Sequence, residues 1–369
     1  MIILAIESSC DDTAAAIVEM TDDKRRILSS CVNSQIQTHA LYGGVVPEIA
    51  SREHIEHISA VVREAVDRSG IALSRLDAIG VTYSPGLIGS LLVGVSYAKS
   101  LAFSLGVPLI PVEHIKGHAA AAYFTSDDLE SPFLALVVSG GHTSLYSVKA
   151  PTEFEEIGST RDDAAGEAFD KVGRMIGLPY PGGAAMDRLA AEGYEKYPDE
   201  IGKIKFPSPA ISDGTLDFSF SGLKTFALNL INTESQKLSV KNGSELPYET
   251  RCTIAAGFTR AITGGIVSKL SSAIEATGYK KIVVAGGVAA NSHLRTAVKK
   301  CAVEHNAKLF IPPISLCGDN GAMIGAQAYY EYKAGVRAGT NLNAFASEDG
   351  ANDAAKCGKD GIVRTLSEQ

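Results

Sequence analysis

The chain contains two copies of one pattern, in which an apolar run, a short polar turn and a second apolar run follow one another. Residues 2–18 hold the first copy and residues 133–148 hold the second, and both turns read S-x-x-x-T when Thr13 is aligned with Thr143. Apolar runs joined by a tight turn of Ser, Asp or Gly predict a pair of neighbouring strands. Because each half of the chain opens with such a pair, the sequence predicts a duplicated protein with two similar lobes.

Three turns rich in Gly, Ser or Asp each follow a predicted strand. Two belong to the repeated pattern, and the third is Gly286-Gly287, which leads from a strand at 281–285 into a helix that begins near Asn291. Gly lets the backbone approach an anion closely, and the N–H groups at a helix N-terminus attract phosphate. Paired turns of this kind are typical of actin, Hsp70-type ATPases and sugar kinases (the ASKHA class). The sequence therefore predicts a duplicated α/β fold with two lobes and a central cleft.

His114 and His118 are four residues apart in a stretch predicted to be helical, so they lie one turn apart on the same face. Neutral His is a common ligand of transition metals. In zinc peptidases with the pattern H-E-x-x-H the Glu is the general base, and here that position is Ile115. The pair offers half a metal site without a peptidase base. From the spacing alone, two half-exposed surface histidines are an equally good interpretation.

Composition limits the possible classes of protein. A chain of 369 residues fits two domains, and 45% apolar residues suffice for a packed core. The net charge of −8 argues against an overall basic surface for nucleic acid, although it leaves room for a local basic groove. The six Cys form no C-x-x-C, which fits a reducing cytoplasm. The first residues predict a strand rather than a signal peptide, and the apolar run 87–105 predicts a buried helix rather than a membrane span.

Other stretches allow plainer interpretations. A helix predicted at about 163–176 carries four charged residues on one face, as a solvated, salt-bridged helix does. His54 and His57 lie in a polar stretch and are expected at an exposed or substrate-facing surface. Residues 190–250 are polar and are predicted to be rich in loops. After about 336 the composition predicts a loosely held tail.

The motifs together resemble the bacterial tRNA threonylcarbamoyladenosine transferase family (TsaD/Gcp), whose members were once labelled O-sialoglycoprotein endopeptidases. The match runs from residue 1 to about 335 in the expected order. The motifs that carry it are Glu7-Ser-Ser-Cys-Asp-Asp-Thr, Gly43-Gly-Val-Val-Pro-Glu-Ile-Ala-Ser-Arg-Glu-His, Lys99-Ser through His114-Ile-Lys-Gly-His118, Val137-Val-Ser-Gly-Gly-His-Thr, Asp162-Asp-Ala-Ala-Gly-Glu-Ala-Phe-Asp-Lys, Phe218-Ser-Phe-Ser-Gly-Leu-Lys, Ala285-Gly-Gly-Val-Ala-Ala-Asn and Cys317-Gly-Asp-Asn-Gly.

This resemblance implies a role for each matching residue. One divalent metal ion, with iron preferred and zinc possible, is expected on His114, His118 and Asp319. The phosphate and carbonyl part of the substrate is expected on Val137, Val138, Ser139, Gly140 and Gly141, with ribose hydroxyls or nearby groups on Asp170, Gly183 and Asp187, and the nucleotide on Asn291. Glu7 and Asp11 are the candidate catalytic residues facing the same cleft, and Asp11 is the candidate base.

The resemblance also implies a reaction and its partners. The threonylcarbamoyl group passes from threonylcarbamoyl-AMP to N6 of the adenosine 3′ of the anticodon (A37), in tRNAs that read ANN codons, which forms t6A. The expected partners are tRNA, an inactive paralogue subunit (TsaB-like) and a small ATPase (TsaE-like), in the cytoplasm and without a membrane.

The lobes and the competing functions are the remaining expectations. The N-terminal lobe is predicted to comprise 1–112 and about 319–340, the C-terminal lobe 113–318, and the loose tail 341–369. A small-molecule kinase or ATPase of the same fold would explain the turns but not the His pair with a distant Asp. A metallopeptidase would explain the His pair but not the turns.

Overall fold

Apolar runs, separated by turns that contain Gly, Pro, Asp or Ser, set the positions of strands and helices in the computed structural model, which describes residues 1–364. The strands are β1 Ile2–Glu7, β2 Asp12–Met20, β3 Arg25–Ser34, β4 Ala78–Ser84, β5 Leu109–Glu113, β6 Phe133–Val138, β7 Thr143–Ala150, β8 Glu153–Ser159, β9 Lys281–Ala285, β10 Lys308–Phe310, β11 Val336–Ala338 and β12 Ile362–Arg364. The α-helices are α1 Ile36–Ala40, α2 Pro47–Ser69, α3 Ile88–Leu105, α4 His114–Ala120, α5 Ala165–Met175, α6 Gly182–Lys196, α7 Pro198–Lys203, α8 Ser221–Lys237, α9 Tyr248–Thr277, α10 Ser292–Glu304, α11 Gly321–Lys333 and α12 Glu348–Lys356. Short 3₁₀ helices occupy Leu73–Arg75, Ala121–Phe124, Gly243–Glu245, Gly287–Ala290 and Ile314–Leu316.

The chain forms two compact units. Unit 1 comprises Met1–Ser131, Lys149–Phe154 and the chain from Pro312 onward, and unit 2 comprises Pro132–Val148 and Glu155–Ile311. The predicted boundary at 113 differs from this division because β5 runs directly into α4, and α4 packs against α11 within unit 1.

Unit 1 is built on a seven-stranded mixed sheet with the order β12-β11-β5-β4-β1-β2-β3. β1 pairs antiparallel with β2 and parallel with β4, and β4 pairs parallel with β5. Every residue of β4 is buried, as expected for a central strand covered on both faces. α2 and α3 pack against this sheet and against each other, and α11 packs on β1 and β2.

Unit 2 is built on a five-stranded sheet with the order β10-β9-β6-β7-β8. β6 pairs antiparallel with β7 and parallel with β9, and β9 pairs parallel with β10. The order β5-β4-β1-β2-β3 of unit 1 is therefore repeated by β10-β9-β6-β7-β8 of unit 2. The strand directions are the same at three corresponding pairs: β1–β2 and β6–β7 are antiparallel, while β1–β4 with β6–β9, and β4–β5 with β9–β10, are parallel. This repeat confirms the duplication that the two S-x-x-x-T turns predicted.

The apolar helix α3 is buried on one face only, which corrects the prediction of a wholly buried helix. Leu91, Val95 and Ala98 are fully buried at helical spacing, whereas Leu92 is 42% and Phe103 79% exposed. In the described part of the chain, α3 is the helix long and apolar enough to cross a membrane by length and composition. That is weak evidence, because core helices of soluble proteins have the same length and composition.

Two predicted irregular regions contain regular structure. Residues 190–250 hold the end of α6, then α7 and α8. In the predicted tail, β12 pairs antiparallel with β11 and extends the sheet of unit 1. Leu342 and Ala351 are buried in the core of unit 1, which explains why this segment is fixed. The prediction for 365–369 lies outside the described residues.

Candidate metal centre and nucleotide-binding turns

Two adjacent elements bring three candidate metal ligands together in unit 1. β5 ends at Glu113 and α4 begins at the next residue, which sets His114 and His118 one turn apart on one face. Asp319 lies two residues before α11. Its Oδ1 is 3.2 Å from Nε2 of His118 and 3.7 Å from Nε2 of His114. The three ligand atoms lie within 4.8 Å of one another, so one ion can contact all of them.

Asp319 is not the cap of α11. The cap is Asn320, whose side chain accepts a hydrogen bond of 2.9 Å from the N–H of Met323. Since the orphan N–H of the first turn already has a partner, the carboxylate of Asp319 is not needed there.

The burial of the two histidines fits a bound cation. His118 is 1% exposed, and among the described residues neither of its ring nitrogens has a hydrogen-bond partner. A buried polar atom without a partner costs about 1–3 kcal/mol, so native proteins rarely leave one. Two imidazole nitrogens and a carboxylate oxygen form a donor set that iron and zinc accept. A cation on Nε2 would satisfy one of the two orphaned nitrogens.

Glu7, at the end of β1, contacts Nδ1 of His114, whereas the candidate metal-binding nitrogen of His114 is Nε2. Oε2 of Glu7 is 3.0 Å from Nδ1 of His114 and accepts a hydrogen bond of 2.6 Å from the hydroxyl of Thr82. Oε1 accepts one of 2.5 Å from the N–H of Ser9. Glu7 is 0% exposed, and its three partners surround its carboxylate. These contacts fit a carboxylate that orients a metal-ligating imidazole.

The two buried groups support each other's charge when no metal is bound. Burial disfavours the carboxylate of Glu7, but His114 outweighs burial and lowers the pKa of Glu7. Burial likewise disfavours the imidazolium of His114, yet Glu7 and Asp319 raise its pKa to about 9. A metal ion binds the neutral imidazole, so binding displaces this proton.

Two further carboxylates add negative charge near the candidate ligands. Burial first, and then repulsion by Asp319, raise the pKa of Asp12 to about 7. Burial also raises the pKa of Asp11, and repulsion by Asp319 adds to this effect. Carboxylates that repel one another in a poorly solvated place are stabilised by a cation between them.

His54 is buried, which corrects the prediction of an exposed histidine. It is 0% exposed, and its Nδ1 is 2.7 Å from the hydroxyl of Thr13. Its Nε2 is 3.0 Å from the carbonyl oxygen of Cys10, and burial lowers its pKa. His54 thus fixes the turn that carries Asp11.

Sequence reasoning missed Thr82 and Ser9 as partners of Glu7. The signal for Thr82 was a polar residue within the apolar run of β4, where every side chain is buried. A buried hydroxyl needs a partner, but the sequence does not say which one.

In unit 2, the turn between β6 and β7 presents two glycines. The N–H of Ser139 donates to the carbonyl of His142 at 2.8 Å, and the N–H of His142 donates to Oγ of Ser139 at 3.1 Å. A Cβ on Gly140 or Gly141 would meet no atom within 4 Å, so the space above the turn is open. This geometry lets a ligand approach the backbone.

The two valines before this turn are the last two residues of β6. Val137 and Val138 are 0% exposed and lie within β6, so their side chains belong to the core of unit 2. Gly286 crosses directly over β6, where a Cβ would lie 2.4 Å from the carbonyl oxygen of Val138. Only glycine fits this crossing, which brings the Gly-Gly turn beside the β6–β7 turn.

Asp187 and Asn291 meet at the start of α10. Asn291 caps this helix by accepting a hydrogen bond of 2.9 Å from the N–H of Leu294. Asp187 accepts from the N–H of Ser292 at 3.1 Å and lies 2.9 Å from Nδ1 of His293. Burial raises the pKa of Asp187, but the bonds from His293 and Ser292 outweigh burial and lower it.

Asp170 and Gly183 meet at the start of α6. Oδ1 of Asp170 accepts a hydrogen bond of 2.7 Å from the N–H of Gly182. A Cβ on Gly183 would meet no atom within 4 Å, which leaves its backbone approachable.

Hydrogen bonds and ion pairs join the motif at 162–171 to the motif at 218–224. Oδ1 of Asp162 accepts from the N–H of Phe220 at 2.7 Å, and Asp163 pairs with both Lys171 and Lys224. The charged residues of the helix predicted at about 163–176 therefore include members of an ion-pair network within unit 2, and they are not only a solvated surface.

Solved structures similar to this chain identify its fold class. Component A of the (R)-2-hydroxyglutaryl-CoA dehydratase of Acidaminococcus fermentans is 15% identical with a TM-score of 0.50, over 91% of this chain and 99% of that one. Full-length HypF in its phosphate- and nucleotide-bound form is 13% identical with a TM-score of 0.58, over 90% of this chain and 46% of that one. Both are proteins of the actin, Hsp70 and sugar-kinase class, so the predicted fold class is confirmed.

Sequence comparison identifies the family. The sequence model described as tRNA N6-adenosine threonylcarbamoyltransferase (TsaD) matches residues 26–326. The protein of that name from Clostridium botulinum (strain 657 / Type Ba4) is 51% identical over 343 residues, which are 93% of this chain and 96% of that protein. The family is metal-dependent, as the His/Asp cluster of unit 1 leads one to expect. On this evidence the chain belongs to the tRNA N6-adenosine threonylcarbamoyltransferase family and is a transferase.

Proposed function

We propose that this chain transfers the threonylcarbamoyl group from threonylcarbamoyl-AMP to N6 of A37 in tRNAs that read ANN codons. The observation that carries the proposal is the buried set of His114, His118 and Asp319 in a chain of this family. In this set Nε2 of His118 lies 3.2 Å from Oδ1 of Asp319 without hydrogen-bond geometry, and Nδ1 of His118 has no hydrogen-bond partner among the described residues.

The metal would be one divalent ion, with Fe²⁺ preferred and Zn²⁺ as the alternative, held by His114, His118 and Asp319. When bound, it would supply Lewis-acid polarisation of an oxygen of the acyl donor. Glu7 would keep Nδ1 of His114 engaged, so that Nε2 is the nitrogen turned to the ion. Ile115 follows the first His, so the helix carries no peptidase-type general base.

The turns of unit 2 would bind the nucleotide part of the donor. The exposed backbone of Gly140 and Gly141, after Ser139, would donate to the phosphate that leaves as AMP. Asp187 and Asn291 would contact the nucleoside, together with Asp170 and the open backbone of Gly183. The buried side chains of Val137 and Val138 would shape β6 beneath this turn.

The proton on N6 is lost when the new bond to the carbonyl carbon forms. Asp11 is the candidate acceptor, since burial raises its pKa and makes its carboxylate a better base. Glu7 suits this role less, because it is 0% exposed and accepts hydrogen bonds from Ser9 and Thr82. N6 is a weak nucleophile, so positioning of the two substrates contributes much of the rate.

The chain would act in the cytoplasm with two protein partners, an inactive paralogue (TsaB-like) and a small ATPase (TsaE-like). The net charge of −8 supports a role for partner proteins in tRNA binding, because an acidic chain attracts tRNA poorly. The isolated chain is expected to modify tRNA weakly or not at all.

The test combines metal content with product formation. The purified chain should hold one metal ion, and the variant His114→Ala with His118→Ala should lose it. His57→Ala, on the surface of α2 beside Glu53, is the matched control and should keep it. With partners, adenylate and tRNA, the unaltered chain should form t6A and the double variant should not.

Three results would contradict the proposal. Full metal and full transfer in the double variant would exclude this site. Steady phosphate release from ATP without tRNA or partners would favour a kinase or ATPase of the same fold. Cleavage of casein above background would favour a metallopeptidase.

A further inference from the structure

One part of this acidic chain is strongly basic. From Lys280 to Lys308 the sequence has six Lys or Arg residues and a single carboxylate, Glu304. Five of these residues form the surface that we call the basic edge, namely Lys280, Lys281, Lys299, Lys300 and Lys308. The metal centre and the nucleotide-binding turns use none of them.

The edge of the unit 2 sheet brings these lysines into one surface. β10 is the last strand of that sheet, and Lys308 lies directly opposite Lys281 in the parallel register with β9. The N–H of Lys308 donates to the carbonyl of Lys280 at 2.7 Å. Nζ of Lys280 donates to the carbonyl of His305 at 3.1 Å, just after α10 ends.

The helix that packs on β10 adds two more charges. Lys299 and Lys300 lie on the exposed side of α10 near its C-terminal end, and Lys300 is 80% exposed. Nζ of Lys300 is 3.8 Å from the carboxylate of Glu304. Glu304 offsets one of the five positive charges of the basic edge.

The lysines of the basic edge lie close together on neighbouring elements. A polyanion that contacts such a cluster releases its own counterions on binding. Phosphate contacts in nucleic-acid complexes come mainly from Lys and Arg, whereas Lys is depleted at protein–protein interfaces. These features favour RNA over an acidic protein.

We propose that the basic edge binds the phosphodiester backbone of the substrate tRNA. This rests on the proposed function, since it names the surface that holds the acceptor. Lys300 follows Ser292 by eight residues along α10, which is about 12 Å of helix. The tRNA backbone would thus be held within one helix length of the Asp187 cluster of unit 2.

The experiment reverses three charges and measures tRNA binding by the full chain with its partners. The test variant is Lys299→Glu, Lys300→Glu and Lys308→Glu. The control is Lys196→Glu, Lys203→Glu and Lys237→Glu, which lie in unit 2 at 51–68% exposure and change the net charge equally. Affinity for tRNA is measured by fluorescence anisotropy at several KCl concentrations.

The basic edge predicts a specific pattern. At about 100 mM salt the test variant should bind tRNA at least tenfold more weakly, and the slope of log K against log salt should shrink by roughly 2–3. The control should stay within about twofold of the unaltered chain. The rate of t6A formation by the test variant should recover at saturating tRNA, because the chemistry is untouched.

Other outcomes separate this proposal from the proposed function. If the unaltered chain forms no t6A, the proposed function fails, while the binding comparison still tests the edge. If the test variant keeps its tRNA affinity and salt slope, the edge proposal is overturned. If it keeps tRNA but no longer co-elutes with a partner protein, the edge binds a protein, and the RNA assignment is overturned.

Discussion

At the scale of single residues, the candidate metal centre depends on a carboxylate, Glu7, that is not one of its three candidate ligands. Glu7 is buried between Ser9, Thr82 and His114 and fixes which nitrogen of His114 is turned to Asp319. Carboxylates that orient metal-ligating histidines commonly contribute one to two powers of ten to affinity.

Glu7→Gln is therefore expected to weaken metal binding by about 10–100-fold, because an amide holds the imidazole less firmly. Chelator competition on the purified chain measures the affinity. Glu53→Gln, on the surface of α2, is the control and should leave it unchanged. Thr82→Val removes one hydrogen bond to Glu7 and should show a smaller loss. Unaltered affinity in both Glu7→Gln and Thr82→Val would show that Glu7 does not position His114.

Asp12 gives the molecule a pH-dependent stability when no metal is bound. Its pKa is about 7 in the folded chain, against an ordinary value of 3.8. The folded state thus holds the proton more tightly, so its stability is highest below pH 4 and falls as pH rises through 7. Asp12→Asn should stabilise the metal-free chain at pH 8, by roughly 4 kcal/mol at most, and should do little at pH 4.

Urea unfolding at pH 4, 6 and 8 in the presence of chelator measures this difference. Asp23→Asn, at an exposed position, is the control and should show no trend. A gain for Asp12→Asn that is equal at every pH would contradict the assignment.

At the scale of elements, the metal centre depends on the close packing of α4 on α11. Gly117 makes this possible, because a Cβ there would lie 2.7 Å from Cδ1 of Ile324. α4 carries His114 and His118, and Asp319 lies just before α11, so a shift between the two helices changes the distances from the imidazoles to Asp319.

Gly117→Ala should destabilise unit 1 by about 1–3 kcal/mol through overpacking and should reduce metal occupancy. Adding Ile324→Val removes the clashing methyl and should restore most of both losses. Gly264→Ala is the control, since a Cβ there meets nothing within 4 Å of this exposed site in α9, and it should stabilise by about 0.5–1 kcal/mol. Without rescue by Ile324→Val, the steric explanation fails.

The elements also show which parts of the site could be predicted. His114 and His118 lie next to each other because helical spacing is a local property. Asp319 follows some two hundred residues later. That it lies beside the two histidines could be predicted only from the resemblance to a family. The roles of Glu7 and Thr82 depend on the register of β1 with β4, which hydrophobic patterns do not determine.

At the scale of the whole molecule, all three candidate metal ligands lie in unit 1, whereas the Gly140-Gly141 and Gly286-Gly287 turns that we propose bind the nucleotide lie in unit 2. A ligand that binds only the folded state stabilises it by about 2.7 kcal/mol at a hundredfold excess over Kd. Removing the metal should therefore loosen unit 1 selectively.

Hydrogen exchange with and without chelator measures this effect. Amides of α4 and α11 should exchange faster after metal removal, while those of β6 and β9 should keep their rates. Equal acceleration in both units would mean that the metal stabilises the chain in another way.

The duplication was visible in the sequence because both hairpins keep the same pattern of apolar runs and polar turn. The extra strands of unit 1 were not visible. β11 and β12 have three residues each, too few for a pattern, and their neighbours are rich in Gly, Ala and Asn. The position of β11 depends on its pairing with β5, which is distant in sequence, and β12 in turn pairs with β11.

The C-terminal segment that contains β11 and β12 protects one side of β5 from pairing with other chains. In unit 2 the chain ends its sheet at β10, but in unit 1 the corresponding strand β5 is followed by β11 and β12. The segment is also anchored, since the N–H of Phe345 donates to the carbonyl of Tyr83 at 2.9 Å and Nζ of Lys99 to that of Leu342 at 3.0 Å. A strand with unpaired backbone groups invites other chains to join it, which is a common start of aggregation. By occupying that side of β5, β11 and β12 keep its backbone groups from pairing with another chain.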